Sequence, residues 1–308
     1  MQHVHAIQSK LAEAQSTVES FWPIPLPGST FNLSIRDVIA TTLIAVVLAL
    51  FLKNKLVLKS YGLGAKLLCV LAAIALEPAA LALPYNVLHS LIYRSPRYWH
   101  PLVVEPMLQK LLDYFPKLQA EALQIVRGNA EGLVNFSDVN PFQRRIAEHQ
   151  PWKVFPFFSY GTRNDANCSR APITASILEQ IPSVRLAMYS VMSGGAEIPM
   201  HCGFYKSALR VHLTLYVDEE DKDKNQRYIE VGGQKYFWQT GELVAFDDTY
   251  PHRVINKVRG TRIVLFLDVD RPYSTAVEQK IANAMTFVMK QSPNIQKIAN
   301  NQEKTRLI

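Results

Sequence analysis

Hydrophobic and polar positions along the chain fall into three textures. Residues 34–52 (SIRDVIATTLIAVVLALFL) become almost unbroken apolar sequence after Asp37, long enough to cross a bilayer. A second apolar stretch, 67–92, carries Glu77-Pro78 at its middle and Pro84 further on. A charge beside a helix breaker is costly in lipid, so this stretch is expected to span, to re-enter or to lie at the interface. Ahead of both, residues 1–33 predict a short helix over 4–21 and a Pro-rich connector over 23–27. Between 104 and 126 the pattern changes to helical spacing (Met107, Leu111, Leu112, Phe115, Leu118, Ala122 and Ile125), which predicts amphipathic helices. A further helix is expected over 171–180.

From Val184 the texture is short β-branched and aromatic runs, at 184–191, 209–217, 228–231, 234–238, 242–246, 253–255 and 262–269, with turn signals such as Gly232-Gly233 between them. Short strands separated by turns predict a sandwich or barrel. A last helix over 274–291, with Val277, Ile281, Ala284, Met285 and Val288 at helical spacing, can pack on that barrel or lie on a membrane surface. The charged run 218–224 reads as a solvated loop. The expected organisation is an N-terminal segment (1–33), a membrane region (34–93), a helical linker region (94–150), a mainly β domain (151–272) and a C-terminal helix and tail (273–308).

A net charge of +7 suits an anionic ligand or a negatively charged membrane surface. No basic helix with interleaved aromatics occurs, so nucleic acid is not the expected partner. Lys53, Lys55, Lys59 and Lys66 separate the two apolar stretches, and the positive-inside rule puts that loop in the cytoplasm. A single span then leaves everything after it cytoplasmic. Cys69, Cys168 and Cys202 lack paired spacing, which suggests a reducing compartment and no disulfide framework.

Candidate chemistry gathers between Ser190 and Arg262. His201 comes shortly before the run 209–217, and His252 follows the run 242–246 and a turn over 247–251. Two strands facing each other in a small barrel would bring both imidazoles to one metal. Iron used for oxygen activation takes imidazole ligands, often a carboxylate, and keeps open positions. The acid that commonly follows a first histidine by two residues is absent, because that position is Gly203. Cys202 stands between them, but adjacent strand residues point to opposite faces, so it is not expected to ligate. Arg210 and His212 are two apart and share one strand face.

The combination of Ser190, His201, Leu209-Arg210-Val211-His212-Leu213, Gly241-Glu242, Phe246-Asp247-Asp248, His252, Arg262, Asp268-Val269 and Arg271-Pro272 resembles the aspartyl/asparaginyl β-hydroxylase family, which includes bacterial lipid A 2-hydroxylase-like membrane members. The resemblance covers roughly 150–272. It implies a double-stranded β-helix (cupin-like jelly roll) using Fe(II), 2-oxoglutarate and O2. It also implies His201 and His252 as metal ligands, Arg262 with Ser190 on the distal carboxylate of 2-oxoglutarate, and Arg210 with His212 at its other end. Gly203 agrees with the branch that lacks the carboxylate ligand. Asp248 can then act from behind the ligands, through a metal-bound water, or serve as a turn residue.

The functional expectation is a dioxygenase at a bacterial inner membrane, hydroxylating a fatty acyl chain such as that of lipid A. Two rivals stand beside it: hydroxylation of an Asp or Asn side chain in a peptide or protein, and a non-catalytic membrane-anchored binding module.

Overall fold

A computed structural model describes residues 81–82, 85–86, 89–90, 95–128, 132–140, 143–203, 205–218, 226–293 and 295–297. The expected helix over 4–21 and the expected span over 34–52 lie outside these residues, as does most of 67–92. Among the described residues no helix is long and apolar enough to cross a membrane.

Two antiparallel sheets form the body. The larger has eight strands: β1 (Tyr98–Trp99), β2 (Val134–Asn135), β3 (Trp152–Ser159), β4 (Thr162–Arg163), β5 (Val184–Met192), β7 (Ala208–Val217), β10 (Leu243–Phe246) and β12 (Arg262–Asp270). The order is β1-β10-β7-β12-β5-β3-β2, with β4 paired to β3. The smaller sheet runs β6 (Ala196–His201), β11 (His252–Asn256), β8 (Arg227–Val231), β9 (Gln234–Tyr236). From β5 onward the chain passes back and forth between the sheets, the path of a jelly roll.

Among the described residues the longest helices against the sheets are α1 (Phe115–Arg127), α2 (Asp165–Arg170), α3 (Pro172–Glu179) and α4 (Ala276–Lys290), with shorter helical turns beside them. The expected helical stretch 104–126 is broken into pieces, because Pro101, Pro106 and Pro116 each restart the helix at its first turn. Glu121 of α1 reaches the start of α3 and accepts hydrogen bonds from the Ile173 and Thr174 amides, satisfying donors that have no partner inside the helix.

The larger sheet is buried on both faces. Leu209, Val211, Leu213 and Leu215 of β7 and Ile263, Leu265 and Leu267 of β12 pack outward under α1 and α3. The alternate residues of β12, Val264 and Phe266, face the smaller sheet and its Ile198, Ile229, Val231 and Val254. Full burial of each such side chain contributes about 1.5–3 kcal/mol over exposure, which pins the strand register. As a result Arg210, His212, Arg262 and Asp268 are held in the space between the sheets.

The strands β3 and β6 were not expected from the sequence, and both contain a proline. Pro156 sits at a register shift in β3, and β6, with Pro199, is the edge of its sheet, positions where a missing N–H is tolerated. Two short strands of the larger sheet, β1 and β2, come from the stretch 94–150, expected as a helical linker region.

Candidate active site

His201 ends β6 and His252 begins β11, and the two are register partners in neighbouring strands. This corrects the expectation of two strands facing each other across a barrel. The pair is adjacent in one sheet, and the run 209–217 that follows His201 belongs to the other sheet. The ring centroids lie 4.1 Å apart.

Each imidazole is fixed by the backbone carbonyl two residues before it. Nδ1 of His201 donates to the Pro199 carbonyl (2.8 Å) and Nδ1 of His252 donates to the Tyr250 carbonyl (2.9 Å). A carbonyl only accepts, so Nδ1 carries the proton in both rings and Nε2 keeps its lone pair. Burial pushes the His201 pKa down to about 4 and holds that of His252 well below the usual range, with His201 adding to the effect. Both rings are therefore neutral at pH 7, the form that ligates metal.

Among the described residues no group of three or more His, Cys, Asp or Glu side chains is arranged around a metal position. The missing acid has a structural counterpart. A Cβ added at Gly203 would overlap the Asp248 carboxylate, and the Gly203 amide donates to the Asp248 carbonyl (2.7 Å). Asp248 thus fills the space that a side chain at 203 would need. Burial raises its pKa, with Arg210 opposing and Asp268 reinforcing the rise.

Arg262, the first residue of β12, is 2% exposed. Its Nη2 donates to Ser190 Oγ (3.1 Å), its guanidinium carbon lies 4.6 Å from the Trp238 ring centroid, and its Nε has no hydrogen-bond partner. Burial, and then the charge of Arg227, push its pKa down to about 9. Ser190 Oγ also accepts from Trp152 Nε1 (2.9 Å). With both lone pairs engaged, the Ser190 hydroxyl proton is left to donate. The result is a buried cation and a buried hydroxyl donor with nothing anionic to satisfy them, which suits a ligand carboxylate.

Arg210 and His212 share the inner face of β7, as their spacing implies, and both line the same cavity as the histidine pair. Arg210 is engaged in an ion pair on each side: Nε with Asp268 Oδ1 (3.0 Å) and Nη2 with Asp248 Oδ2 (3.0 Å). His212 is buried with neither ring nitrogen partnered, and burial, then Arg262 and Arg210, hold its pKa well below the usual range.

The cavity has a volume of about 410 Å³, solvent at its mouth included. Its remaining walls are chiefly apolar, including Ile198, Ile229, Phe246, Val254 and Phe266. Sequence reasoning assigned no role to Trp152, which orients Ser190, or to Trp238, which covers the Arg262 guanidinium. Neither carried a spacing signal. Cys202, half-buried beside His201, has its thiol pushed up to about 11 by burial and then by Asp248.

The sequence model of the aspartyl/asparaginyl beta-hydroxylase family matches residues 113–272, more than half of the chain. An ornithine lipid ester-linked acyl 2-hydroxylase of Rhizobium tropici is 32% identical over 167 residues, covering 54% of this chain and 58% of that protein. The human aspartyl/asparaginyl beta-hydroxylase is 28% identical over 178 residues, covering 56% of this chain and 22% of that protein. The chain therefore matches only part of the length of each relative. A solved Pseudomonas putida prolyl-4-hydroxylase aligns with a TM-score of 0.33 and 15% identity, over 52% of this chain and 88% of that one. With more than half of its residues matched by the family's own model, the chain belongs to the aspartyl/asparaginyl beta-hydroxylase family of hydroxylating enzymes.

Proposed function

We propose that this chain is an Fe(II)- and 2-oxoglutarate-dependent dioxygenase that hydroxylates an unactivated C–H on a fatty acyl chain of a membrane lipid. The observation that carries the reading is the pairing, in one cavity, of two neutral imidazoles held through Nδ1 by backbone carbonyls and the uncompensated Arg262–Ser190 donor pair. His201 and His252 would hold iron, and Arg262 with Ser190 would hold the distal carboxylate of 2-oxoglutarate. His212 and Arg210 would meet its other end. When bound, the iron supplies oxygen activation, coupled to conversion of 2-oxoglutarate and O2 into succinate, CO2 and one hydroxyl on the substrate.

The chain's own residues position and exclude. Trp152 and Trp238 fix the anion donors from two sides, and the backbone carbonyls of Pro199 and Tyr250 fix the imidazoles. Asp248, behind the ligand pair, would hydrogen-bond a metal-bound water in place of a third protein ligand. The apolar cavity walls exclude water and suit an acyl chain. The ornithine lipid hydroxylase relative supports the same class of substrate, with lipid A as a second acyl carrier. The expected arrangement keeps the domain on the cytoplasmic side of a bacterial inner membrane, where 2-oxoglutarate and ferrous iron are supplied.

The test is lipid mass spectrometry in a bacterial host lacking acyl 2-hydroxylases, expressing this chain or His201→Ala. A gain of one oxygen on an acyl chain, seen with the unmodified chain alone, is the expected result. Membrane-inserted protein that converts 2-oxoglutarate to succinate but leaves every lipid unchanged would move the substrate to a peptidyl Asp or Asn. Absence of ferrous iron binding would leave only a binding module.

A further inference from the structure

Helix α4 carries more apolar surface than the barrel covers. Glu278, Ala282, Met285 and Met289 form the stripe that faces the rest of the protein. Val277, Ile281, Ala284 and Val288 form a second stripe beside it, since they too recur every three or four residues. Val277 is 64% exposed and Ile281 50%, and Phe287, on the neighbouring face, is 67% exposed. Among the described residues, three of the seven exposed large hydrophobic residues are thus on this one helix. Such a concentration marks an interaction surface, whereas scattered exposed residues would not.

Charge says what kind of surface. The only acid in α4, Glu278, is buried and bonded to His89 Nε2 (2.9 Å), so it contributes no negative charge to the outside. Lys280 is exposed, Lys290 closes the helix, and Lys297 follows it. An apolar stripe with Lys280 at its border and further lysines at and beyond the helix end, with no exposed acid on the helix, fits the boundary between acyl chains and anionic headgroups, where lysine stems lie along the apolar layer and their amines reach the phosphates.

The chain's connectivity points the same way. His89, held on α4, belongs to the apolar stretch 67–92, and Tyr85 of that stretch bonds Ser207 Oγ through its hydroxyl (2.7 Å). Tyr205 in turn bonds Thr286 of α4 (2.7 Å). The end of the expected membrane region, the loop that follows His201, and α4 are therefore one packed unit.

We infer that the exposed stripe of α4 lies in the surface of an anionic bilayer, alongside the end of the apolar stretch, and that it holds the rim of the His201 loop against the membrane. This deepens the lipid-substrate reading by naming the face that meets the bilayer.

The experiment is photo-crosslinking of the full chain in phosphatidylethanolamine/phosphatidylglycerol vesicles containing a lipid with a diazirine in its acyl chain, with adducts mapped by peptide mass spectrometry. Adducts within 276–290 are expected, in addition to those in 34–92. Their loss is expected in the combined variant Val277→Ser, Ile281→Ser, Phe287→Ser, whose exposed positions leave the thermal midpoint unchanged. Weaker α4 labelling is expected when phosphatidylcholine replaces phosphatidylglycerol. Adducts confined to residues before 95, with none on α4, would overturn the inference. The readout needs no turnover, so α4 adducts without acyl hydroxylation would keep the docking face and remove the lipid substrate.

Discussion

Asp248 occupies the room that Gly203 leaves empty: a Cβ at 203 would overlap the Asp248 carboxylate, while the backbones of the two residues are joined by a hydrogen bond of 2.7 Å. The carboxylate absent from the ligand sequence has its place taken by one from the opposite loop, ion-paired to Arg210.

Restoring an acid at 203 is therefore expected to harm the site. Gly203→Asp forces two carboxylates into one space, and overpacking of this kind costs about 1–3 kcal/mol. Affinity for ferrous or manganous ion, titrated without oxygen, should fall about 10- to 100-fold, the usual size of a disturbance just behind the ligands. Adding Asp248→Gly to that variant clears the space and should recover metal binding. If Gly203→Asp alone binds metal more tightly than the unmodified chain, Asp248 does not fill the position as argued.

Ser190 is a donor to the ligand only because Trp152 and Arg262 use both of its lone pairs. Trp152→Phe removes one of those donors and frees the hydroxyl to turn. KM for 2-oxoglutarate should rise roughly 5- to 10-fold, the equivalent of about one hydrogen bond, with kcat within about twofold. Ser190→Ala should do the same, and the two together should be no worse than either. Additive effects would show that Trp152 acts independently of Ser190. Arg262→Lys, which replaces a planar fork with a point charge, should raise KM about 100-fold.

Cys202 invites a role as a soft ligand because it follows His201. Its thiol is pushed up to about 11, so it stays protonated near neutral pH, and the thiolate is the form that binds metal. Cys202→Ser is expected to leave ferrous iron affinity within about twofold. A sulfur-to-iron charge-transfer band that disappears in the variant would contradict this.

What the sequence revealed followed burial on two faces. Strands β7 and β12 were legible almost to the residue because apolar side chains under the helices alternate with Arg210, His212, Arg262 and Asp268 on the inner face, and helix α4 was legible from its period. β3 and β6 were not, since Pro156 and Pro199 are normally evidence against a strand and are tolerated here only at a register shift and an edge. Losing β6 also misplaced the histidine pair, because His201 is its last residue. The anion pocket was legible in part. Arg262 and Ser190 stand out through a family pattern, whereas Trp152 and Trp238 act through contacts made across strands that no local spacing encodes.

Asp247 ties the turn before His252 to the rest of the protein, and its charge ties stability to pH. Its carboxylate accepts from Arg271 Nη2 (2.7 Å), Ser95 Oγ (2.7 Å) and Lys206 Nζ (3.1 Å) on one oxygen, and from the Thr249 amide (3.1 Å) on the other. Burial alone would raise its pKa, but the charges of Arg271 and Lys206 and the Thr249 and Ser95 hydrogen bonds together hold it well below the usual carboxylate range. A depressed folded pKa means that the unfolded chain takes up the proton first as pH falls. The stability contributed by Asp247 is then complete above about pH 5 and is lost progressively as pH drops through the ordinary carboxylate value toward the lower folded one. Asp247→Asn leaves Arg271 and Lys206 buried without their counter-ion and should cost about 3–5 kcal/mol at pH 7. Urea unfolding measured from pH 7 down to pH 3 should show the gap between the two proteins narrowing only below about pH 5. A constant gap over that range would mean that the cluster contributes through packing and not through the Asp247 charge.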